Sequence, residues 1–234
     1  MTMKNDLQKM NLAGDVVKIT ETTYNIFSDE DETKFERDEE PSLVAEIIFT
    51  ADGNIESQRI AMPQSGDEIA TDYIYENGLK TEERSSLPDG RREQTLVEYA
   101  ENQLPVSETT KRNGVDIVKT TFIYNDDGQL VEIASLYTNG THVQRFITYN
   151  EQGNKQEERS VEKSEFTSEE RTVYAYNEHN EVVESTDYDY EGNVEISNQY
   201  EYTDLDAHGN WTAKTELMDH VPIRTIVRTI QYRS

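Results

Sequence analysis

The sequence predicts an all-β fold: an elongated antiparallel meander of about 16 strands, built from hairpin repeats of about 25 residues. The first observation behind this is a series of turn signals at that spacing, at Gly53, Gly78, Gln103, Gly128 and Gly153, continuing with slight stretching to Asn180 and Gly209. The second is a series near the midpoints, at Gly66, Gly90, Gly114, Gly140 and Gly192. Gly and Asn tolerate the positive φ that tight hairpin turns demand, so two interleaved series mark the two kinds of corner of a meander. The third is the residue types between corners, segments rich in β-branched and aromatic side chains.

Taken in order, Asn11–Gly14 reads as a turn and Val16–Thr20 as a first strand, because β-branched residues dominate it. Ser28–Pro41, SDEDETKFERDEEP, is dense in charge with only Phe35 able to anchor it, and is expected to be an exposed, mobile, acidic loop. Strands are then expected at Leu43–Thr50, Ile55–Met62, Ile69–Glu76, Leu79–Leu87 and Arg91–Ala100, and so on to Ile223–Tyr232. An aromatic stands four residues before most major turns, at Phe49, Tyr99, Tyr124, Tyr149 and Tyr176, where a ring can cover the hairpin corner with its hydroxyl in water. Lys155–Lys163, KQEERSVEK, is polar on both alternate faces, which implies that part of the sheet is a single layer solvated on both sides. Laid flat at about 4.8 Å per strand, such a sheet would reach roughly 70 Å.

Composition bounds the function. Hydrophobic residues are 34% of the 234, much of that share carried by 14 Tyr, so only a thin core is expected. The formal charge of -26 repels nucleic-acid backbones and anionic membranes and makes a basic partner the electrostatic complement. With no Cys, disulfides, thiolate-bound zinc and thiol nucleophiles are excluded. No apolar run of membrane-spanning length exists, so the chain is expected to be soluble: in the envelope or periplasm if an export signal has been removed, otherwise cytoplasmic.

The tyrosine-anchored turns YNDDG at 124–128, YNEQGN at 149–154, YNEHN at 176–180 and YDYEGN at 188–193 resemble those of the YD-repeat, or Rhs-type, bacterial β-repeat proteins. The terminal Tyr202–Glu216 segment and the opening from Lys9 are similar to those of small envelope-type members. The resemblance implies one β-sheet domain over residues 1–234. It does not bring the shell function of large Rhs toxins, because the chain is short and carries no toxin or protease segment.

Signatures of catalysis are absent. There is no G-x-S-x-G elbow, phosphate-binding Gly loop or dinucleotide fingerprint, and no acid pair is privileged among 48 Asp and Glu; no enzyme and no cofactor are expected. His142, His179, His208 and His220 lack metal-ligand spacing, and none is expected to be a ligand. Asp187, Asp189 and Glu191 before Gly192 resemble the start of a calcium loop, but the twelfth position is Asn198 and a hairpin turn already explains the Gly. Trp211, the only Trp, is expected to cap the thin core or, as the alternative, to anchor a partner or a sugar.

Three functions follow, in order of preference. The first is a non-enzymatic interaction module that binds another protein through an acidic, Tyr-rich surface. The second is an immunity or inhibitor protein neutralising a basic toxin through the acidic loop, with Asp29, Glu30, Asp31 and Glu32 as contacts. The third is a carbohydrate-binding or envelope-surface protein using the tyrosines and Trp211.

Overall fold

A computed structural model describes residues 4–28 and 34–234. The acidic residues Asp29, Glu30, Asp31 and Glu32 lie outside the described residues. Among the described residues seventeen strands form one antiparallel sheet: β1 (Val16–Ser28), β2 (Phe35–Arg37), β3 (Leu43–Phe49), β4 (Ile55–Met62), β5 (Asp67–Glu76), β6 (Leu79–Ser86), β7 (Arg92–Tyr99), β8 (Pro105–Arg112), β9 (Val115–Tyr124), β10 (Leu130–Tyr137), β11 (His142–Tyr149), β12 (Lys155–Lys163), β13 (Thr167–Tyr176), β14 (Val182–Tyr188), β15 (Val194–Leu205), β16 (Trp211–Met218) and β17 (Val221–Tyr232). From β3 to β17 each strand neighbours the next in sequence, and β1 pairs with β3 on one edge and β17 on the other.

The strand order therefore closes. Sixteen strands make an antiparallel barrel and β2 is one extra strand, attached through Phe35–Arg37 to Ile26–Ser28 at the end of β1. This corrects the open, elongated, partly single-layer meander expected from the sequence. The physical reason is that β1 satisfies the outer edges of both β3 and β17, which an open sheet would leave as unpaired N–H and C=O groups. Strands polar on both faces need no second layer when both faces of the sheet are wetted.

Two compact units divide the chain, one comprising Tyr73–Ser197 and the other the residues up to Asp72 together with Asn198–Ser234. The second holds the best-buried core: Leu7, Val16, Ile19, Ile47 and Phe49, with Ile55, Ile230 and Tyr232 packed against them. Leu7 belongs to a short helix, α1 (Asp6–Lys9), started by a capping box between Asn5 and Gln8. The helix clamps the first turn, since Asn5 Nδ2 donates to Asp52 O at 2.8 Å, Leu7 N to Gly53 O at 3.0 Å and Ile55 N to Asp6 Oδ2 at 2.9 Å. Gly53 is required there twice over: its φ is +78°, and a Cβ would stand 2.5 Å from Asn5 Nδ2.

The motif behind the repeat has a clear geometry. In 125–129, Asn125 N donates to Gln129 O and Gly128 N to Asn125 O, while Asn125 Oδ1 accepts from Asp127 N and Gln129 N. The same Asx turn with a left-handed fourth residue recurs at Asn150, Asn177, Asp189 and Asp206. Bulges between Glu98 and Tyr99, Thr148 and Tyr149, and Ala175 and Tyr176 set the tyrosine just before the turn. Its hydroxyl then donates to a carbonyl of the preceding strand: Tyr99 to Lys80, Tyr149 to Leu130 and Tyr176 to Lys155, each at 2.7 Å. The expectation of a ring over the corner with a wet hydroxyl is corrected at these three, where the hydroxyl is bound to backbone. Replacing Tyr149 by Phe is expected to cost about 0.5–1.5 kcal/mol of stability, read from urea unfolding, because it removes one partly buried hydrogen bond and nothing else.

Candidate functional site

Within Tyr73–Ser197 the tyrosines converge on half-buried charge. The Lys80 ammonium bonds Glu83 and lies 4.0 Å from Glu108 and 5.8 Å from the Tyr73 ring. Burial opposes the charge on Lys80, but the Glu83 hydrogen bond and the two carboxylates outweigh it, so its pKa is raised. Burial, then the like charge of Glu83, raises the Glu108 carboxyl against the pull of Lys80. Tyr124 is pushed up to about 12, by burial first and then by Glu108, Tyr99 and Tyr149. Three repeats further on, Lys155 bonds Glu158 at 2.8 Å and sits 4.5 Å from the Tyr174 ring. These groups are positioned as a structural ladder of cation, carboxylate and ring; nothing among them pairs a base with a nucleophile.

Beside this ladder, successive turns 150–154 and 177–181 leave a groove of about 470 Å³ lined by Asn150, Gln152, Asn154, Gln156, Tyr174 and Tyr176, among others. Asn154 Nδ2 donates to Asn180 Oδ1 at 2.8 Å across it. The groove is rich in side-chain amides, and neutral polar ligands suit such a lining. No spacing in the sequence signalled it, because these residues serve two different turns.

In the second unit, Trp211 is part of a stack. The Arg228 guanidinium lies 3.4 Å from its ring centre, Lys214 lies 5.5 Å away, and the Tyr202 ring is tilted against it at 5.6 Å. Arg228 also bonds Glu21 at 2.6 Å, and Glu216 takes Lys214 at 2.8 Å together with Arg224. Burial works against the Glu216 carboxylate, but Lys214 and Arg224 hold its pKa below the usual value. With a guanidinium on its face, Trp211 is not an open platform for a sugar.

The remaining candidates are accounted for by turns. Asp189 accepts from Glu191 N and Asn193 N, and Asp187 accepts from Thr172 Oγ1 at 2.6 Å, so these carboxylates are engaged by protein donors. His208 stacks on Tyr232 with ring centres 4.0 Å apart, and His220 N donates to Gln199 Oε1 at 3.1 Å. Among the described residues no group of three or more His, Asp or Glu is placed to hold a metal ion, and no helix is long and apolar enough to cross a membrane.

No protein-family model matches the sequence, and no curated protein matches it. Among solved structures the chain is similar to a porin-like protein from Bacteroides uniformis, at 13% identity, covering 94% of this chain and 98% of that one, with a TM-score of 0.56. A porin-like protein from Bacteroides vulgatus aligns at 12% identity over 93% of this chain and 98% of that one, with a TM-score of 0.41. The TcdB2-TccC3-Cdc42 structure aligns at 11% identity over all of this chain but 17% of that one, with a TM-score of 0.34. The first likeness shows a shared fold. Closure and the fold of the porin-like neighbour overturn the open-meander reading.

Proposed function

We propose that this chain is a non-enzymatic binding module of YD-repeat type, a barrel wetted on both faces of its sheet that engages a basic protein partner through its acidic surface. The observation that carries this is charge on both faces of the same strands. On β12, Arg159 stands opposite Arg171, and the two reach diagonally to Glu169 at 2.9 Å and Glu157 at 3.6 Å. The other face of β12 carries Glu158, paired with Lys155. β6 repeats the pattern, with Glu82 and Arg84 paired on one face and Glu83 bonded to Lys80 on the other.

Such a sheet does not suit lipid. Likeness to a porin-like protein invites a pore, but a membrane barrel needs one apolar face along every strand, and each Arg or Lys turned to mid-bilayer lipid costs about 2–4 kcal/mol. With a formal charge of -26, contact with a basic protein is the favourable alternative. The contact chemistry comes from carboxylates, with Tyr137 and Tyr190 as exposed rings, since Tyr99, Tyr149 and Tyr176 are tied to backbone.

The test is capture of partners from soluble extract of the source cells over a salt series, followed by calorimetry on the purified pair. One basic protein held at low salt and released at high salt, with stoichiometric binding, is the expected result. Retention independent of salt, or ion conductance when the chain is added to a planar bilayer, would overturn it. Carbohydrate binding is a second reading, favoured by the amide groove at 150–180; retention of neutral oligosaccharides with no basic protein would replace the first reading with it.

A further inference from the structure

Exposed apolar side chains are not scattered evenly over the Tyr73–Ser197 unit. Hairpin turns in an antiparallel sheet alternate between its two ends, so each turn can be assigned to one end from the strand order. The turns at 100–104, 125–129, 150–154 and 177–181 share one end, and those at 113–114, 138–141, 164–166 and 189–193 share the other. Of nine large apolar residues exposed in this unit, seven stand at or near the second set, among them Val115, Leu136, Phe166, Tyr190, Val194 and Ile196. Only Val106 and Ile123 stand toward the first set. Phe166 at 82% and Tyr190 at 79% are nearly as exposed as side chains become.

Single exposed apolar residues need no explanation, but a row on four successive hairpins does. Turns two strands apart are about 10 Å from one another, so the tips span roughly 30 Å of rim, the width of an ordinary protein contact. Carboxylates flank most of the tips: Asp116 follows Val115, Glu165 precedes Phe166, Glu191 follows Tyr190 and Glu195 follows Val194. Apolar anchors ringed by negative charge are complementary to apolar pockets ringed by Lys and Arg, and aromatic anchors are the residues that dominate contact energy.

We infer that this rim of turn tips is the docking surface of the module, and that its occupant is a protein presenting apolar pockets bordered by basic residues. The inference rests on the binding reading above and names the surface it uses. An anionic membrane would be repelled by the same carboxylates, and a second copy would bring acid against acid.

The experiment uses the full chain and two 14-residue peptides of equal charge, one alternating Lys and Leu and one alternating Lys and Ser. Charge alone binds both; the rim adds affinity for the Leu peptide only. Wild type is expected to bind the Leu peptide at least ten-fold more tightly than the Ser peptide. A triple variant, Phe166→Ser, Tyr190→Ser and Val194→Ser, should lose that ten-fold difference and keep its binding of the Ser peptide. A control at the opposite end, Val106→Ser with Ile123→Ser, should leave both affinities within two-fold. All three altered tips are solvent-exposed, and an unchanged thermal midpoint confirms intact folding.

Equal binding of both peptides by wild type overturns the rim while leaving the charge-based reading in place. Binding of neither peptide overturns both. Equal losses in the tip and control variants also sink the rim. Tip-dependent flotation with zwitterionic vesicles, or concentration-dependent dimerisation abolished by the tip variant, would reassign it to lipid or to a second copy.

Discussion

Replacing Asn210 by Ala is expected to destabilise the protein by about 2–4 kcal/mol, well beyond the loss of the Tyr149 hydroxyl. Asn210 is buried, and its side chain links three segments. Its Oδ1 accepts from Ala13 N at 2.8 Å, and its Nδ2 donates to Ala13 O at 2.9 Å and to the Tyr232 hydroxyl at 2.7 Å. Tyr232 in turn bonds Asp206, which organises the turn from which Asn210 comes. Truncation to Ala removes three part-buried bonds, each worth about 0.5–1.5 kcal/mol, and unties Ala13 from the turn. The check is urea unfolding combined with amide exchange over Ala13–Thr20. A loss below about 0.5 kcal/mol, or unchanged exchange in that segment, would show that the link is dispensable.

Ile19→Ala is expected to cost about 2–5 kcal/mol, and Ile19→Val about 0.5–1.5 kcal/mol. Ile19 is completely buried, opposite Ile230 on β17 and Ile47 on β3, so it sits in a row of three isoleucines that runs across the closure. The cost has two parts, the lost transfer of the deleted methyl groups and the cavity left between two neighbours held by their own ladders. The same substitution at Ile133, half-buried opposite Phe122 and Arg145, should cost clearly less, because solvent already reaches the site. Denaturant midpoints of the three variants check both the ranking and the concentration of core in this unit. Equal losses at Ile19 and Ile133 would contradict it.

Much of the hairpin framework was legible because its signals are local. A left-handed residue is needed at the fourth place of each Asx turn, so Gly128, Gly153 and Asn180 announce the corner wherever they occur. β4 has the bounds expected of it and β3 ends one residue early, whereas β5 starts two residues before the expected Ile69. The extra strand β2 falls inside the stretch expected to be a loop, for its pairing with Ile26–Ser28 depends on a partner and not on its own composition. Closure was illegible for the same reason. Nothing in Val16–Ser28 distinguishes a strand with one neighbour from a strand with two; the second neighbour, β17, is supplied some 200 residues later. The docking rim was also hidden, since Phe166 and Tyr190 look like ordinary strand-former residues until the turns that lift them are assigned to one end.

The position of β1 between β3 and β17 also sets the order in which the molecule can be made. During synthesis from the N-terminus, β1 can pair with β3 as soon as the first turns emerge, but its other edge must wait for β17, some 200 residues later. Throughout that interval the Val16–Asn25 stretch of β1, with Val16 and Ile19, stands with open hydrogen-bonding groups along the edge that β17 will take. A nascent or truncated chain ending before Val221 therefore presents an adhesive margin that the closed sheet does not have, and the 12-residue strand β17 acts as the latch that removes it.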